Sequence, residues 1–137
     1  MNKLLMVLLL LAPFEVLACR CREPTLHAAY ARADAVAVVQ IKEIAALPDG
    51  AAHVTGEVLQ SWKADVPRSL NVFTGDNCIY TMEGKEIYLL YLTNGKGGDF
   101  GTYRCHGNRR KEEAADSLRW LMRHGKRSEV IPTQPDQ

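Results

Sequence analysis

Four cysteines carry the chemistry that this sequence can offer, and two of them form a Cys19-Arg20-Cys21 triplet. The other two, Cys78 and Cys105, stand far downstream. A Cys-x-Cys pair binds soft metals when its thiols are free and forms disulfides when they are oxidised, so the compartment decides between the two. Upstream of the triplet, Met1-Asn2-Lys3 is a short basic stretch, Leu4 to Ala12 is an apolar run, and Val16-Leu17-Ala18 offers small residues at cleavage positions. This pattern predicts a secretory signal peptide over residues 1–18, removed after Ala18. The apolar run is shorter than the about 20 residues needed to span a bilayer. An exported chain with an even cysteine count predicts two disulfides in a secreted or periplasmic protein. Cleavage after Ala18 would put an α-amino group, a carbonyl and a half-cystine together on Cys19. Leu17-Ala18-Cys19 also has the outline of a lipobox. Acylation of Cys19 would leave three cysteines, and Glu15 is a poor neighbour for that motif, so the parity favours simple cleavage over a lipid anchor.

Four cysteines permit three pairings. A Cys19–Cys21 bond would close a strained ring around one residue and is discarded. Both cysteines must therefore reach Cys78 and Cys105, in either of two ways. Each bond closes a loop worth up to about 4 kcal/mol in the chain-entropy model. It also staples a terminus that would otherwise fray.

The remaining candidates are weaker. His27, His53, His106 and His124 lack metal-ligand spacing, and the glycines from Gly95 to Gly98 are not followed by a Lys-Ser/Thr pair before a helix, which predicts a hairpin turn instead of a phosphate loop. Asp65 and Asp76 have no paired carboxylate, and no Ser/His/Asp or Cys/His set stands out, so the expectation is a protein that is not an enzyme and has no cofactor of its own. The formal net charge of +1 points away from nucleic acid. Arg109-Arg110-Lys111 reads as a solvated helix start, and Trp62 and Trp120 as core or edge aromatics. Nothing after the leader could span a membrane, and the chain is expected to be a monomer.

Several elements must position the cysteines. Pro24 and Thr25 open a short helix to Ala33, with Leu26, Ala29, Tyr30 and Ala33 on one face. Strands are expected over Ala35 to Ile44, His53 to Trp62, Leu70 to Thr74, Glu86 to Thr93 and Phe100 to Cys105, punctuated by Pro48-Asp49-Gly50, Gly75-Asp76-Asn77 and the Gly95–Gly98 turn. From Arg109 to His124 the period becomes helical, with acidic residues at the start, basic ones at the end and Gly125 as C-cap. The mainly β pattern predicts a five-stranded closed barrel of the OB type, with one short N-terminal and one C-terminal helix and two disulfides. It spans residues 19–127, followed by a disordered tail over 128–137.

The order of these pieces resembles the tissue inhibitors of metalloproteinases and, more broadly, the netrin-like domain. In that family Cys-x-Cys follows the signal peptide directly, then come a proline and a short helix that runs into an Asp-led strand. The matching residues are Pro24 and the run from His27 to Val36. Gly84-Lys85-Glu86-Ile87-Tyr88-Leu89 is similar to the family's fourth strand, and Cys78 and Cys105 to its downstream cysteines. The resemblance covers residues 19 to about 121. It implies Cys19–Cys78 and Cys21–Cys105 bonds. It also implies that the protein inhibits a zinc metalloprotease, with the amine and carbonyl oxygen of Cys19 chelating the protease's zinc. Catalytic zinc keeps an open position that such a chelate can fill. The implied inhibitory ridge is Cys19, Arg20, Cys21, Arg22, Glu23 and Pro24, flanked by Thr74, Gly75, Asp76 and Asn77. A netrin-like binding module with purely structural disulfides is the alternative. The chain departs from the family at Ala31, where a third cysteine is expected, at Arg20, where a small hydroxyl residue is expected, and in a proline placed one residue later, and the family's second subdomain is expected to be missing.

Overall fold

The computed structural model describes residues 19–76 and 78–134; the expected signal peptide lies outside them. Helix α1 (Leu26–Arg32) leads into strand β1 (Ala35–Ala46). Then come β2 (Ala52–Trp62), β3 (Val66–Pro67), β4 (Ser69–Thr74), β5 (Ile87–Asn94), β6 (Phe100–Gly101), β7 (Arg109–Arg110), α2 (Ala115–His124), β8 (Arg127–Ser128) and β9 (Val130–Ile131). Five of the strands close on themselves in the order β1-β2-β4-β6-β5, with β5 returning to β1. The β4–β6 pairing is parallel and the others are antiparallel. This is the closed five-stranded barrel that the strand pattern predicts, with its two helices and two disulfides.

The apolar runs in β1 and β5 are unbroken because both faces of these strands are covered. Ala35, Ala37, Val39 and Ile41 of β1 face the barrel interior with Tyr88, Leu90 and Leu92 of β5. The alternate residues, Val36, Val38, Leu89 and Tyr91, face outward and pack beneath the helices with Ala29, Ala33, Trp62, Ala114 and Leu121. Helix α1 begins where Thr25 accepts the Ala28 N–H through its side-chain oxygen at 3.1 Å. Ala29 on the helix and Ala33 at its C-cap are buried, and their small side chains let it lie close to the sheet. At Gly56 a Cβ would stand 2.3 Å from Val39 Cγ1, beside the register shift in β1 between Ile41 and Glu43.

Three expectations need correction. The expected strand over Phe100 to Cys105 ends at Gly101, because Thr102 turns inward to bond β5. The C-terminal helix starts at Ala115, not Arg109. Arg109 and Arg110 pair with Leu89 and Tyr88, and Lys111–Glu113 form a 3-10 turn. Residues 128–131, expected in the disordered tail, are built into the fold. Ser128 pairs with Ser61, their hydroxyls 2.8 Å apart. The Glu129 N–H donates to Asp65 at 2.8 Å, and β9 lies parallel to β3. Main-chain pairing holds this segment, and its polar composition carries no signal for it. Gly125 caps α2 as expected, but with an extended backbone at φ −80°. Glycine is needed there because a Cβ would meet Leu121 O at 2.7 Å and Trp62 Cδ1 at 3.0 Å. No helix among the described residues is long and apolar enough to cross a membrane.

Candidate functional site

Residues Cys19 to Pro24 run without regular secondary structure. Cys19 is bonded to Cys78 and Cys21 to Cys105, each pair with Cα atoms 5.2 Å apart. Of the two pairings that the residues leave open, the structure has the one implied by the resemblance. The two bonds sit against each other: Cys19 Sγ lies 3.8 Å from Cys21 Sγ and 3.5 Å from Cys105 Sγ.

Each anchor is fixed by its own contacts. The loop after β4 carries Cys78, and Thr74 at the strand end accepts the Tyr80 N–H at 2.9 Å. Asp76 turns that loop in the left-handed region at φ 58°. The loop after β6 carries Cys105 in a 3-10 turn over Arg104–His106, closed by Gly107 at φ 99°. A side chain on Gly107 would crowd Ala29 Cβ at 3.0 Å. The Arg104 N–H donates to Cys78 O at 2.9 Å, which ties the two loops together.

A buried polar knot holds the Cys105 loop to the barrel. On this side of β5, β7 pairs with Tyr88 and Leu89, and β6 pairs with Thr93 and Asn94. Tyr91 falls in the gap. Its N–H donates to Asn108 Oδ1 at 2.8 Å and its carbonyl accepts from Thr102 Oγ1 at 2.8 Å. Asn108 also donates through its amide to Thr102 Oγ1 at 2.8 Å and to Tyr103 O at 3.1 Å. Two side chains thus complete the strand ladder, as buried main-chain groups require. His106 Nδ1 stands 3.2 Å from the same Tyr91 carbonyl. The Tyr91 hydroxyl is buried without a hydrogen-bond partner. Burial pushes its pKa up.

On the outer side, Glu23 forms an ion pair with Arg109. Arg20, Cys21, Arg22, Pro24, Ala28 and Arg32 border a shallow groove of about 460 Å³. A smaller hollow of about 210 Å³ lies behind it between α1 and β5, reached by Pro24, Arg32, Tyr91 and His106. Arg20, Arg22, Arg32 and Arg104 are exposed, and none of them forms an ion pair among the described residues. The surface around the stapled segment is therefore cationic.

The expected ridge is brought together in part. Arg20, Arg22 and Glu23 are exposed, while Cys19, Cys21 and Pro24 are half-buried. Cys19 is joined covalently to the loop that carries Asp76, which is exposed. Thr74 and Gly75 are buried. The Thr74 hydroxyl is used by Tyr80, and a Cβ on Gly75 would overlap Phe73 Cζ at 2.4 Å. These two residues support the loop and offer no side chain to a partner; Asn77 lies outside the described residues. Sequence reasoning missed Asn108 and Thr102, which position Cys105, and Arg32 and Arg104, which extend the cationic face. An Asn after a Gly reads as a turn, and nothing local signals a side chain that replaces a strand.

No family model matches this chain, and no curated protein matches it. Among the described residues, the one group of potential metal ligands is the sulfur cluster of Cys19, Cys21 and Cys105.

Proposed function

We propose that this protein is a secreted inhibitor of zinc metalloproteases, acting through a mature N-terminus at Cys19. The observation that carries the reading is the double staple: Cys19–Cys78 and Cys21–Cys105 hold the Cys19-Arg20-Cys21 segment from both ends, with Arg20 exposed between them. Once Ala18 is removed, Cys19 carries an α-amine and a carbonyl oxygen that, with the amine in its neutral form, close a five-membered chelate on the protease's zinc and displace its water. A segment fixed in this way loses little conformational entropy on docking. Arg20 is the residue next to the chelate, so the target's pocket must accept a guanidinium; burial of that charge without a partner costs several kcal/mol, in the range of about 3–5.

The test is a variant with one alanine inserted before Cys19, which moves the amine off the zinc and leaves the barrel unchanged. Against a protease that the unmodified protein inhibits, the insertion abolishes inhibition. Equal inhibition by the variant refutes chelation and leaves the netrin-like binding module. A free α-amine titrates at about 7.7–8.0 and ligates only when neutral. Inhibition therefore weakens as pH falls below that range, after correction for the protease's own profile.

A further inference from the structure

The two disulfides form one cluster. Three sulfurs, on Cys19, Cys21 and Cys105, lie within 4.8 Å of one another; the fourth, on Cys78, is bonded to Cys19 but lies outside that group. The two non-bonded approaches of Cys19 Sγ, 3.5 Å and 3.8 Å, are close to the edge of a zinc–thiolate tetrahedron, about 3.8 Å for Zn–S bonds of about 2.3 Å; the Cys19–Cys78 and Cys21–Cys105 edges open only when the disulfides are reduced. We propose that this cluster is a latent zinc site: after reduction, the thiolates of Cys19, Cys21, Cys78 and Cys105 hold one zinc ion.

Three further features favour it. First, hydrogen bonds and an ion pair join the same segments alongside the disulfides. The Arg104 N–H to Cys78 O bond joins the two loops. Asn108 fastens the Cys105 loop to β5, and the Glu23–Arg109 pair and the Thr25 cap hold the N-terminal segment. Second, a zinc tetrathiolate carries two negative charges, and the exposed guanidinium groups of Arg20, Arg22 and Arg104 flank this cluster in the chain. Nearby cations lower thiol pKa values and stabilise thiolates. Third, the three cysteines are half-buried, which leaves them open to a small reductant.

The step balances with a dithiol reductant. Each disulfide takes two electrons and two protons from one dithiol, which is itself oxidised to a disulfide. Zinc then displaces four protons from the four thiols. The site uses the sulfur of Cys19, whereas the inhibitor reading uses its amine and carbonyl, so the two stand or fall separately.

The experiment takes the protein without its leader, reduces it anaerobically with a phosphine, and titrates it with cobalt(II) as the spectroscopic probe and then with zinc(II). Expected are thiolate charge-transfer and tetrahedral d–d bands that saturate at one cobalt per chain and disappear on zinc addition. The thiols open to a disulfide reagent fall from all four cysteines to none. The oxidised protein gives no such bands, and Cys105→Ser weakens them. Binding in denaturant is at least about tenfold weaker, because folding supplies the site. Amide spectra monitor the barrel. If reduction alone loosens it, zinc restores the native spectrum. An octahedral cobalt spectrum, thiols that stay reactive at saturating zinc, undiminished affinity in denaturant, or a loosened barrel that zinc does not restore each overturns the proposal.

Discussion

Asn108→Ala tests whether the Cys105 anchor depends on a side chain that completes the β5 ladder. Asn108 makes three hydrogen bonds at 2.8, 2.8 and 3.1 Å and is 7% exposed. Truncation leaves the Tyr91 N–H buried without a partner, at a cost of about 1–3 kcal/mol, and removes two further bonds worth about 1 kcal/mol each. The expected loss is about 3–5 kcal/mol, a large share of the about 5–15 kcal/mol that holds a domain of this size. Urea unfolding reads it as a lower midpoint at unchanged slope. Hydrogen exchange gives a second, local readout: the Tyr91 amide loses protection while Val36 and Val38 on β1 keep theirs, once the global change is subtracted. Asn108→Asp keeps the acceptor for Tyr91 but loses both donations and buries a charge. It is at least as damaging at neutral pH and recovers as acid protonates the carboxylate. A stability loss below about 1 kcal/mol in Asn108→Ala, with Tyr91 still protected, would refute the ladder argument.

Four other outcomes follow from the same geometry. Burial, and then the neighbouring Tyr88 and Glu113, push the Tyr80 phenol from 10.0 up to about 12. The folded state therefore holds the proton more tightly. Stability from this group is full below about pH 10 and is lost as the pH rises towards 12, so Tyr80→Phe flattens alkaline unfolding across that window. Gly125→Ala puts a Cβ against Leu121 O and Trp62 and costs about 1–3 kcal/mol by thermal or urea unfolding. Replacement of Cys21 and Cys105 together by serine opens a link with a sequence separation of 84. The loss is about 2–4 kcal/mol, and the barrel's amide spectrum survives outside the 19–24 and 104–108 segments. A double-mutant cycle on Glu23 and Arg109, both more than a third exposed, gives no more than about 1 kcal/mol; a larger coupling would mean that the N-terminal edge is held chiefly by this pair.

The barrel was legible because its strongest strands are covered on both sides. Ala35 to Ile41 and Ile87 to Leu92 read as strands from composition alone, and Thr25 marks its helix by a local rule that needs no tertiary information. The parts that sequence reasoning misread are held by partners distant in the chain. Ser128 looks like tail until Ser61 is beside it, and Arg109 looks like helix until Leu89 offers it a strand edge. Of the site, the cysteines were legible as chemistry, and one of their two open pairings came from the resemblance. The burial of Thr74 and Gly75 was not legible, because the alternation of β4 does not say where its last turn points.

These features place different demands on the same few residues. The inhibitor proposal calls for a rigid chain end at Cys19, and that needs the loops under Cys19 and Cys21 to be stiff without help from the end itself. The structure meets that demand from the barrel side. Asn108 and Thr102 fix one loop to β5, Thr74 fixes the other through Tyr80, and the Arg104 N–H joins them. The disulfides thus join loops that main-chain and side-chain hydrogen bonds also hold. It follows that serine at Cys19 and Cys78 should disturb the edge more than the barrel, whereas alanine at Asn108 should disturb the barrel first and the edge through it. The order of those two effects, read by amide exchange at Tyr91 and at Cys21, separates a frame built from the core outward from one held together at its rim.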